Sequence, residues 1–587
     1  MFLTRLHKFL TAPTAKTFDS RMMFWFSLSL TFAAIYGLLG LQLAFSSEYV
    51  VQDDARQHVF WMRRFLDPSL FPNDWIADYF QSVAPLGYTT LYRLFATVGI
   101  DPVLLSKFLP IVLGLITTAY CFGVCLQILP VPMAGFLATL VLNQYLWLRD
   151  DLASGTAVAF IYPLFTAFLY YLLQRTLVLM CIAIALLGLF YPQGIFICAA
   201  ILILQLVHWR HKRPHLSPNQ RDYWFSGIGL AVAVLVIFIY ALKSSTKYGP
   251  VITAAEAKTL LEFGPTGLSK FFVDDWGDFW FTGQRSGIMP KFGLIVPILT
   301  ALLLPLLMLL FPTLFPLLRQ ITRKIALLGQ TTLASLFMFF MAHALLFKLH
   351  LPSRYTEHSL RVVTALAAGI ALTVMLDAIL LWARPRRQKA KDNTLQERQR
   401  LAVGLATLLL TAFILQPAFL KRFPEVDYKV GQLPSVYQFF AQQPKDILIA
   451  SLAESEVTNL PTFAKRSILV GGVGFPVPYH KGYYAQIRQR TIDLINAQYS
   501  PDLNQVQNFI QKYEVDFWLV ERSAFTPTYI TQSQWISQYQ PAASEAVARL
   551  EQGISPSLAS VMDRCSVFQS GSFLVLQAEC VMNGLAK

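Results

Sequence analysis

The chain has 587 residues, of which 55% are hydrophobic and only 14% are charged, and its formal net charge is +14. Soluble domains carry roughly 25% charged residues, so the composition excludes a soluble globular protein and indicates a polytopic α-helical membrane protein. The positive charge needs no nucleic-acid partner, because most of it falls in segments that are predicted to face the cytoplasm.

Apolar runs close to the ~20 residues needed to cross a bilayer recur along the first 420 residues. We predict about eleven transmembrane helices. Two of them form a short pair within residues 176–207, where Tyr191–Gly194 interrupts the apolar run. The predicted spans cover residues 22–44, 103–128, 132–148, 154–173, 176–207, 223–242, 292–312, 326–347, 362–382 and 401–420.

The distribution of Lys and Arg predicts the orientation of the chain. If the N-terminus is cytoplasmic, the inner segments hold 19 basic residues in 66 positions, and the outer loops hold 14 in 130. We therefore predict a multi-pass protein of the cell's inner (plasma) membrane. Its N-terminus would be cytoplasmic and its C-terminus would lie outside.

The first outer loop, residues 45–102, carries a charged cluster directly after the first span. Asp53 and Asp54 are adjacent, and Arg56 and His58 follow within about one helical turn. Charge at the membrane surface is costly and often functional. The alternative is that the acids merely begin a helix, where Asp is favourable.

This cluster resembles the first outer loop of the GT-C superfamily, integral membrane glycosyltransferases that use polyprenyl-linked sugars. The resemblance implies that Asp53 or Asp54 is catalytic. We expect Arg56 and His58 to lie near the donor phosphate and to keep Asp54 ionised. The amphipathic segments 59–66 and 86–95 should lie flat at the interface, like the horizontal helices of that superfamily.

A second acidic pair, Asp150 and Asp151, follows the third predicted span on the same outer side. The resemblance implies a second catalytic acid here. Capping of the following helix by Asp151 or Ser154 is the alternative.

A basic cluster in the last outer loop, residues 348–361, contains Lys348, Arg354 and Arg361. A phosphate leaving group is bound well by a planar, bidentate guanidinium, and the superfamily has an arginine in a comparable loop. We therefore predict that Arg354, with Lys348, His350 or Arg361, binds the donor phosphate. Snorkelling of long basic side chains to the interface is the alternative.

Candidates for sugar or acceptor binding combine acids with aromatic rings. They are Asp275, Trp276 and Trp280 in the outer loop 243–291, and Tyr355 beside Arg354. Carboxylates accept hydrogen bonds from sugar hydroxyls and aromatic faces stack on the ring. For the two tryptophans, an interfacial aromatic belt is the alternative.

Residues 421–587 change in composition and are predicted to form an extracytoplasmic α/β domain with a partly parallel sheet, separate from the transmembrane domain 1–420. Strands are expected within 446–451, 467–471 and 515–520, and helices over 482–497, 503–513 and 532–552. Two runs flanking Ser570–Ser572 predict a hairpin. We also predict a disulfide between Cys565 and Cys580, since the compartment is oxidising.

The resemblance implies an inverting glycosyltransferase that moves a sugar from a polyprenyl-phosphate-linked donor to a glycan, lipid or protein acceptor outside the membrane, in cell-envelope glycan synthesis. Paired carboxylates beside a diphosphate suit Mg²⁺ or Mn²⁺ at Asp53 and Asp54, but relatives that use monophosphates need no metal. A transporter or flippase for lipid-linked sugars, or a non-catalytic polysaccharide assembly protein, is the alternative.

Overall fold

The structure is a computed structural model that describes residues 2–14, 19–210, 213–243, 247–289, 294–384 and 393–583. Within these ranges, six helices are long and apolar enough to cross a membrane, and three further apolar helices are shorter. The chain is therefore a polytopic α-helical membrane protein, as its composition predicts. The number of eleven spans stays a prediction.

Helices occupy every stretch that was expected to cross the membrane. The apolar pair within 176–207 forms two helices that are separated by Tyr191 and Pro192. The helix expected from residue 401 begins at Asn393 instead, because the preceding stretch is rich in Gln, Glu and Arg, which are good helix formers. The helices up to residue 414 are α1 (Phe2–Thr11), α2 (Ser20–Ala44), α3 (Asp53–His58), α4 (Trp75–Val83), α5 (Leu86–Thr97), α6 (Pro102–Ile128), α7 (Pro132–Leu146), α8 (Asp150–Ala153), α9 (Ile161–Gln174), α10 (Leu177–Phe190), α11 (Gln193–Leu204), α12 (Gln220–Lys243), α13 (Ala254–Ala257), α14 (Ile295–Leu310), α15 (Ala326–Ala344), α16 (Glu357–Trp382) and α17 (Asn393–Ile414).

Helix α7 lies at the centre of the helical part. All 15 of its residues are buried, and it packs against α2, α6 and α16. The crossing with α16 depends on Gly369, where an added Cβ would lie 2.4 Å from the backbone nitrogen of Ala138. Small residues allow helices in membranes to approach this closely, so α7 and α16 form a rigid base for the loops above them.

Two short ladders lie outside the main sheet. Strand β1 (Val50–Gln52) pairs antiparallel with β4 (Tyr428–Val430), and β2 (Val207–Arg210) pairs with β3 (Arg213–Leu216). The β1–β4 ladder attaches the segment after the last predicted span to the first outer loop. The domain boundary at residue 420 stays a prediction.

The C-terminal α/β unit is built on five strands in the order β6–β5–β7–β9–β8. Strands β6, β5 and β7 are parallel, and β9 and β8 are antiparallel to their neighbours, which gives the expected partly parallel sheet. The strands are β5 (Leu448–Ala450), β6 (Ser467–Ile468), β7 (Phe517–Glu521), β8 (Ser566–Ser570) and β9 (Phe573–Gln577), and the helices are α18 (Pro434–Gln442), α19 (Glu454–Phe463), α20 (Lys481–Gln498), α21 (Leu503–Tyr513), α22 (Pro527–Gln532), α23 (Ala542–Glu551), α24 (Ser557–Cys565) and α25 (Ala578–Met582).

The prediction of one continuous helix over residues 532–552 is wrong. Helix α22 ends at Gln532 and α23 begins only at Ala542, with a short 3₁₀ turn between them. Pro541 lacks a backbone N–H and cannot continue a hydrogen-bonded helix through this point. The stretch is therefore divided between the end of α22, the 3₁₀ turn and α23.

The C-terminal hairpin is present as predicted. Strands β8 and β9 are antiparallel and turn at Gly571, whose positive φ of 57° suits glycine. Cys565 and Cys580 flank the hairpin and form a disulfide, with their Cα atoms 5.4 Å apart.

Candidate active site

The acidic pair of the first outer loop begins α3 but does not cap it. The N-cap is Gln52, whose side-chain oxygen accepts the backbone N–H of Ala55 at 3.1 Å. Asp53 and Asp54 lie in the first turn, where negative charge is favourable. Because Gln52 provides the cap, both carboxylates are available for other contacts.

Asp53 belongs to the boundary with the C-terminal unit. Its Oδ1 accepts a hydrogen bond from Arg56 Nη2 at 2.5 Å, and Arg56 Nη1 donates to Asn459 Oδ1 at 2.8 Å. Asp53 and Arg56 also line a cavity of about 500 Å³ together with residues of the C-terminal unit; we call it the interface cavity. Arg56 is thus already ion-paired with Asp53.

Asp54 has a different environment, although it is the next residue. Its carboxylate is half-buried and makes no hydrogen bond or ion pair within the part of the chain that the structure describes. Burial raises the pKa of Asp54 to about 7, and the nearby charges of Asp150, Asp53 and Asp151 act in the same direction, whereas Arg354 opposes the rise. Asp54 is therefore a carboxylate that titrates near neutral pH.

The expectation that Arg56 and His58 keep Asp54 ionised is wrong. Arg56 is bound to Asp53 and Asn459. His58 packs edge-on against a phenylalanine ring, and burial lowers its pKa to about 4, so that it is neutral at physiological pH. The cation that acts on Asp54 comes instead from the last outer loop.

Asp150 is held in place by two donors. Gln52 Nε2 donates to Asp150 Oδ1 at 3.1 Å, and the backbone N–H of Asp427 donates to the same oxygen at 2.7 Å. Burial raises the pKa of Asp150. The residue that caps α3 therefore also binds the second acidic pair, which fixes the first and second outer loops to one another.

Asp151 is the centre of a buried polar network. Its Oδ2 accepts hydrogen bonds from Arg361 Nη1 at 2.6 Å and from the Tyr162 hydroxyl at 3.1 Å, and His358 Nδ1 lies 3.7 Å away. Burial alone would raise the pKa of Asp151, but the charges around it, including those of Arg361 and Arg354, hold it below its usual range. Asp151 is thus an ionised acceptor for Arg361 and not the helix cap that was the alternative.

Arg354 lies at the accessible edge of this network. It sits in a 3₁₀ turn, Pro352–Tyr355, just before α16. Its Nη1 is 3.2 Å from Glu357 Oε2 and 3.9 Å from Asp151 Oδ1, and its side chain is 29% exposed. The side chain of Arg361 is only 2% exposed and already bonds Asp151 and Glu357. Arg354 is accordingly better suited to contact a ligand, and Arg361 to hold the acids.

Two other residues of the last outer loop lie apart from this cluster. Lys348 is exposed and makes no ion pair within the described residues. Tyr355 is fully buried, and its hydroxyl donates to the carbonyl of Leu349 at 2.9 Å. Its ring is covered by protein, which leaves it no face for the sugar contact that we predict.

Of the two aromatic candidates in the loop 243–291, Trp280 packs against α15 and Trp276 contacts Phe281 of its own loop. Trp280 lies 4.8 Å from the ring of His343, whereas Trp276 is 67% exposed. Asp275 accepts the backbone N–H of Asp278 and so stabilises its own loop. The end of this loop does reach the cluster, because the carbonyls of residues 284 and 285 accept hydrogen bonds from Ser353, next to Arg354.

Sequence reasoning missed several members of the network. Glu357 bonds both arginines, and Tyr162 and His358 contact Asp151. A signal for Glu357 is present, since it lies three residues after Arg354 and four before Arg361, which places all three on one helical face. Tyr162 belongs to another helix, so no local spacing could indicate it.

A Mg²⁺ or Mn²⁺ ion at Asp53 and Asp54, which the sequence leaves open, does not fit the residues present. The Asp53 carboxylate is bound by Arg56, and Asp54 interacts with a different set of charges. Within the ranges described, no group of three or more His, Cys, Asp or Glu side chains is arranged to hold a metal ion. We assign no step of a reaction to a metal at this pair.

No protein-family model matches the chain, and no curated protein matches it in sequence. Solved structures with a similar backbone do exist. The Archaeoglobus fulgidus oligosaccharyltransferase tethered with an acceptor peptide is 12% identical, with a TM-score of 0.47 over 88% of this chain and 72% of that one. The Archaeoglobus fulgidus oligosaccharyltransferase AglB, in complex with an inhibitory peptide and a dolichol-phosphate, is 13% identical, with a TM-score of 0.47 over 90% and 73%.

A third similar structure is ArnT from Cupriavidus metallidurans bound to undecaprenyl phosphate. It is 11% identical, with a TM-score of 0.44 over 94% of this chain and 98% of that one. The AglB oligosaccharyltransferase and ArnT are both GT-C superfamily membrane glycosyltransferases.

Proposed function

We propose that this chain is a GT-C-type membrane glycosyltransferase that moves a sugar from a polyprenyl-phosphate-linked donor to an acceptor on the outer side of the membrane. The observation that carries the proposal is that Asp54 makes no hydrogen bond or ion pair among the described residues and has a pKa raised to about 7 by burial, while the positive charge of Arg354 opposes this rise. Arg354 is partly exposed and lies 3.9 Å from Asp151.

Asp54 is the base in this proposal. A base works best when its pKa is close to the operating pH, because it is then both ionised and able to hold a proton. Asp54 removes the proton of the acceptor hydroxyl as the hydroxyl oxygen forms a bond to the anomeric carbon of the donor. The bond from that carbon to the phosphate oxygen breaks, and its electron pair leaves with the polyprenyl phosphate, so the configuration is inverted.

Arg354 stabilises the negative charge that develops on the leaving phosphate. Its guanidinium is oriented by Glu357 and by Asp151, and both are in turn held by the buried Arg361. Side chains fixed in this way need little rearrangement during the reaction. Arg361 is therefore a positioning residue, and Arg354 is the group in contact with the donor.

The orientation of the chain completes the proposal. The site lies where the first, second and last predicted outer loops meet, and the C-terminal α/β unit lies on the same side. We infer that the N-terminus is cytoplasmic and the C-terminal domain is extracytoplasmic, in agreement with the excess of basic residues in the opposite loops. The donor then approaches from the outer leaflet.

The test uses the purified full-length protein in lipid nanodiscs, a polyprenyl-phosphate hexose with a labelled sugar, and outer-membrane or wall extract as the source of acceptor. Asp54→Asn should reduce transfer by about 10²- to 10⁴-fold, the usual contribution of a general base. Asp78→Asn is the matched control, since Asp78 lies in the same loop but is paired with Arg64. Full transfer by Asp54→Asn would overturn the role of Asp54 as the base. Absence of transfer by the wild type would overturn the proposed activity and favour a transporter or an assembly protein.

A further inference from the structure

The interface cavity is a second site, distinct from the cluster around Arg354. It is lined by Asp53 and Arg56 of the first outer loop and by residues of the C-terminal unit, notably Glu454, Glu521, Tyr529 and Phe573. Its volume of about 500 Å³ lies within the range of roughly 300–1,000 Å³ that is typical of small-ligand sites.

The position of the cavity in the sheet is that of a ligand site. Of the three parallel strands, β5 comes first in the chain but lies between β6 and β7 in the sheet. The chain therefore adds β6 on one side of β5 and β7 on the other side, so the strand order reverses between β5 and β7. Ligands of open α/β sheets bind at such a switch point, beyond the carboxyl ends of the parallel strands. Leu452 and Ala453 follow β5, Val473 follows β6, and Glu521 ends β7, and all four line the cavity.

The polar groups of the cavity include three carboxylates, which can accept hydrogen bonds from hydroxyl groups, and several donors. The carboxylates are Asp53, Glu454 and Glu521, and the donors are Arg56, Lys429, Ser455, Thr458, Tyr529, Gln532 and Ser533. The side chain of Glu521 makes no hydrogen bond or ion pair among the described residues, and the carboxylate of Glu454 accepts hydrogen bonds from Ser533 at 3.3 Å and from the backbone N–H of Val473. Carboxylates accept strong hydrogen bonds from hydroxyl groups. The rings of Tyr529 and Phe573 add apolar surface to the same cavity. Acceptors combined with aromatic faces suit a neutral, polyhydroxylated ligand.

Two other kinds of ligand are disfavoured by the geometry. A phosphate would sit at the N-terminus of α19 beside the glycine-rich turn after β6, but Glu454 occupies this place, and an added Cβ at Gly472 would lie 2.5 Å from its side chain. A peptide that extends the sheet would need a strand edge, whereas the cavity lies at the strand ends.

The cavity is also bounded by the helix that carries the proposed base, because Asp53 and Arg56 of α3 line it. Adjacent Cα atoms are about 3.8 Å apart, so a ligand that touches Asp53 is one residue away from Asp54. The turn after β6 approaches the first outer loop closely, since an added Cβ at Gly474 would lie 2.0 Å from the side chain of Gln57. The cavity and the base thus share a single structural element, α3.

We propose that the interface cavity binds the saccharide portion of the acceptor, which makes the acceptor a glycan; this inference rests on the proposed glycosyl transfer. Glu454 and Glu521 bind its hydroxyl groups, and Tyr529 and Phe573 lie against its rings. The hydroxyl that reacts is then presented to Asp54 from the side of the C-terminal unit.

The test measures binding of maltotriose, cellotriose and an α-linked mannotriose to the full-length protein in nanodiscs by saturation-transfer NMR and calorimetry. At least one trisaccharide should bind at concentrations up to about 10 mM, which covers a Kd of about 1 mM. Glu454→Gln and Glu521→Gln should each weaken it about tenfold, the loss expected for one hydrogen bond to a charged group. Asp563→Asn is the matched control, since Asp563 lies in the same unit but is exposed and paired with Arg522.

The inference would be overturned if none of the three trisaccharides binds. It would also be overturned if both Gln variants bind the trisaccharide as tightly as the wild type does. Binding of a neutral hexapeptide that is lost in both variants would replace the glycan by a peptide. Asp54→Asn separates the two proposals, because it should abolish transfer and keep trisaccharide binding. If trisaccharides fail to bind but Asp54→Asn still abolishes transfer, the inference fails and the proposed function stands.

Discussion

The backbone N–H of Asp427 donates a hydrogen bond of 2.7 Å to Oδ1 of Asp150. This bond joins the second outer loop to the segment that enters the C-terminal unit. The same segment pairs through β4 with β1 of the first outer loop, and Gln52 at the end of β1 donates to Asp150 as well. Three segments that are far apart in sequence therefore fix the position of α3, on which the proposed base lies.

The pH dependence of transfer follows from the raised pKa of Asp54, which is about 7 instead of the usual 3.8. A base must be deprotonated to accept a proton, so the rate should fall as the pH is lowered through about 7. The measurement is kcat/KM against pH for a fixed donor. A rate that stays constant from pH 5 to pH 8 would contradict the role of Asp54.

The raised pKa of Asp54 also predicts that the stability of the fold depends on pH. Stability should fall as the pH rises, whereas the rate of transfer should rise. Because the folded state holds the proton of Asp54 more tightly than the unfolded chain does, the stability contributed by this group is complete below about pH 4 and is lost as the pH rises to about 7. Asp54→Asn cannot ionise, so it should gain thermal stability relative to the wild type at pH 8 and little at pH 4. Thermal unfolding in nanodiscs at the two pH values measures this difference.

Much of the fold was predictable from local patterns, because apolar length and alternation decide helices and strands. The order of the predicted spans also places Asp54, Asp150 and Arg354 in outer loops, and this placement stays a prediction. The separate environments of Asp53 and Asp54 do not follow from this order, since they depend on Asn459, which lies about 400 residues away and completes the binding of Arg56. The break before α23 could have been predicted from Pro541.

Arg354 should be sensitive to a change that keeps its charge. Lysine retains the positive charge but loses the planar, bidentate donor, so Arg354→Lys should lower kcat strongly, and Arg354→Gln should lower it further. If Arg354 acts on the leaving phosphate mainly in the transition state, KM for the donor should change less than kcat. Equal kcat values for Arg354→Lys and the wild type would contradict this role.

The buried pair of Asp151 and Arg361 should contribute chiefly to folding. Arg361→Met leaves Asp151 and Glu357 buried without their main partner, and removal of one member of a buried ion pair costs about 3–5 kcal/mol. We expect a large loss of thermal stability. The matched control is Arg522→Met, which breaks an exposed ion pair worth about 0–1 kcal/mol. Similar unfolding temperatures for the two variants would contradict a structural role for Arg361.

The disulfide between Cys565 and Cys580 allows the orientation of the chain to be tested directly. With the other four cysteines, Cys121, Cys125, Cys181 and Cys198, replaced by alanine, a membrane-impermeant maleimide should not label intact spheroplasts, because both remaining thiols are oxidised. After treatment with a membrane-impermeant reductant, the partly exposed Cys580 should become labelled, since the C-terminal unit is proposed to lie outside, whereas Cys565 is only 1% exposed. Labelling without reduction would contradict the disulfide in the cell. Labelling that requires permeabilised membranes would place the C-terminal unit in the cytoplasm, and with it the site around Asp54.

The double variant Cys565→Ser, Cys580→Ser provides the background signal, and it should lose about 3 kcal/mol of stability, as expected for a closed loop of 15 residues.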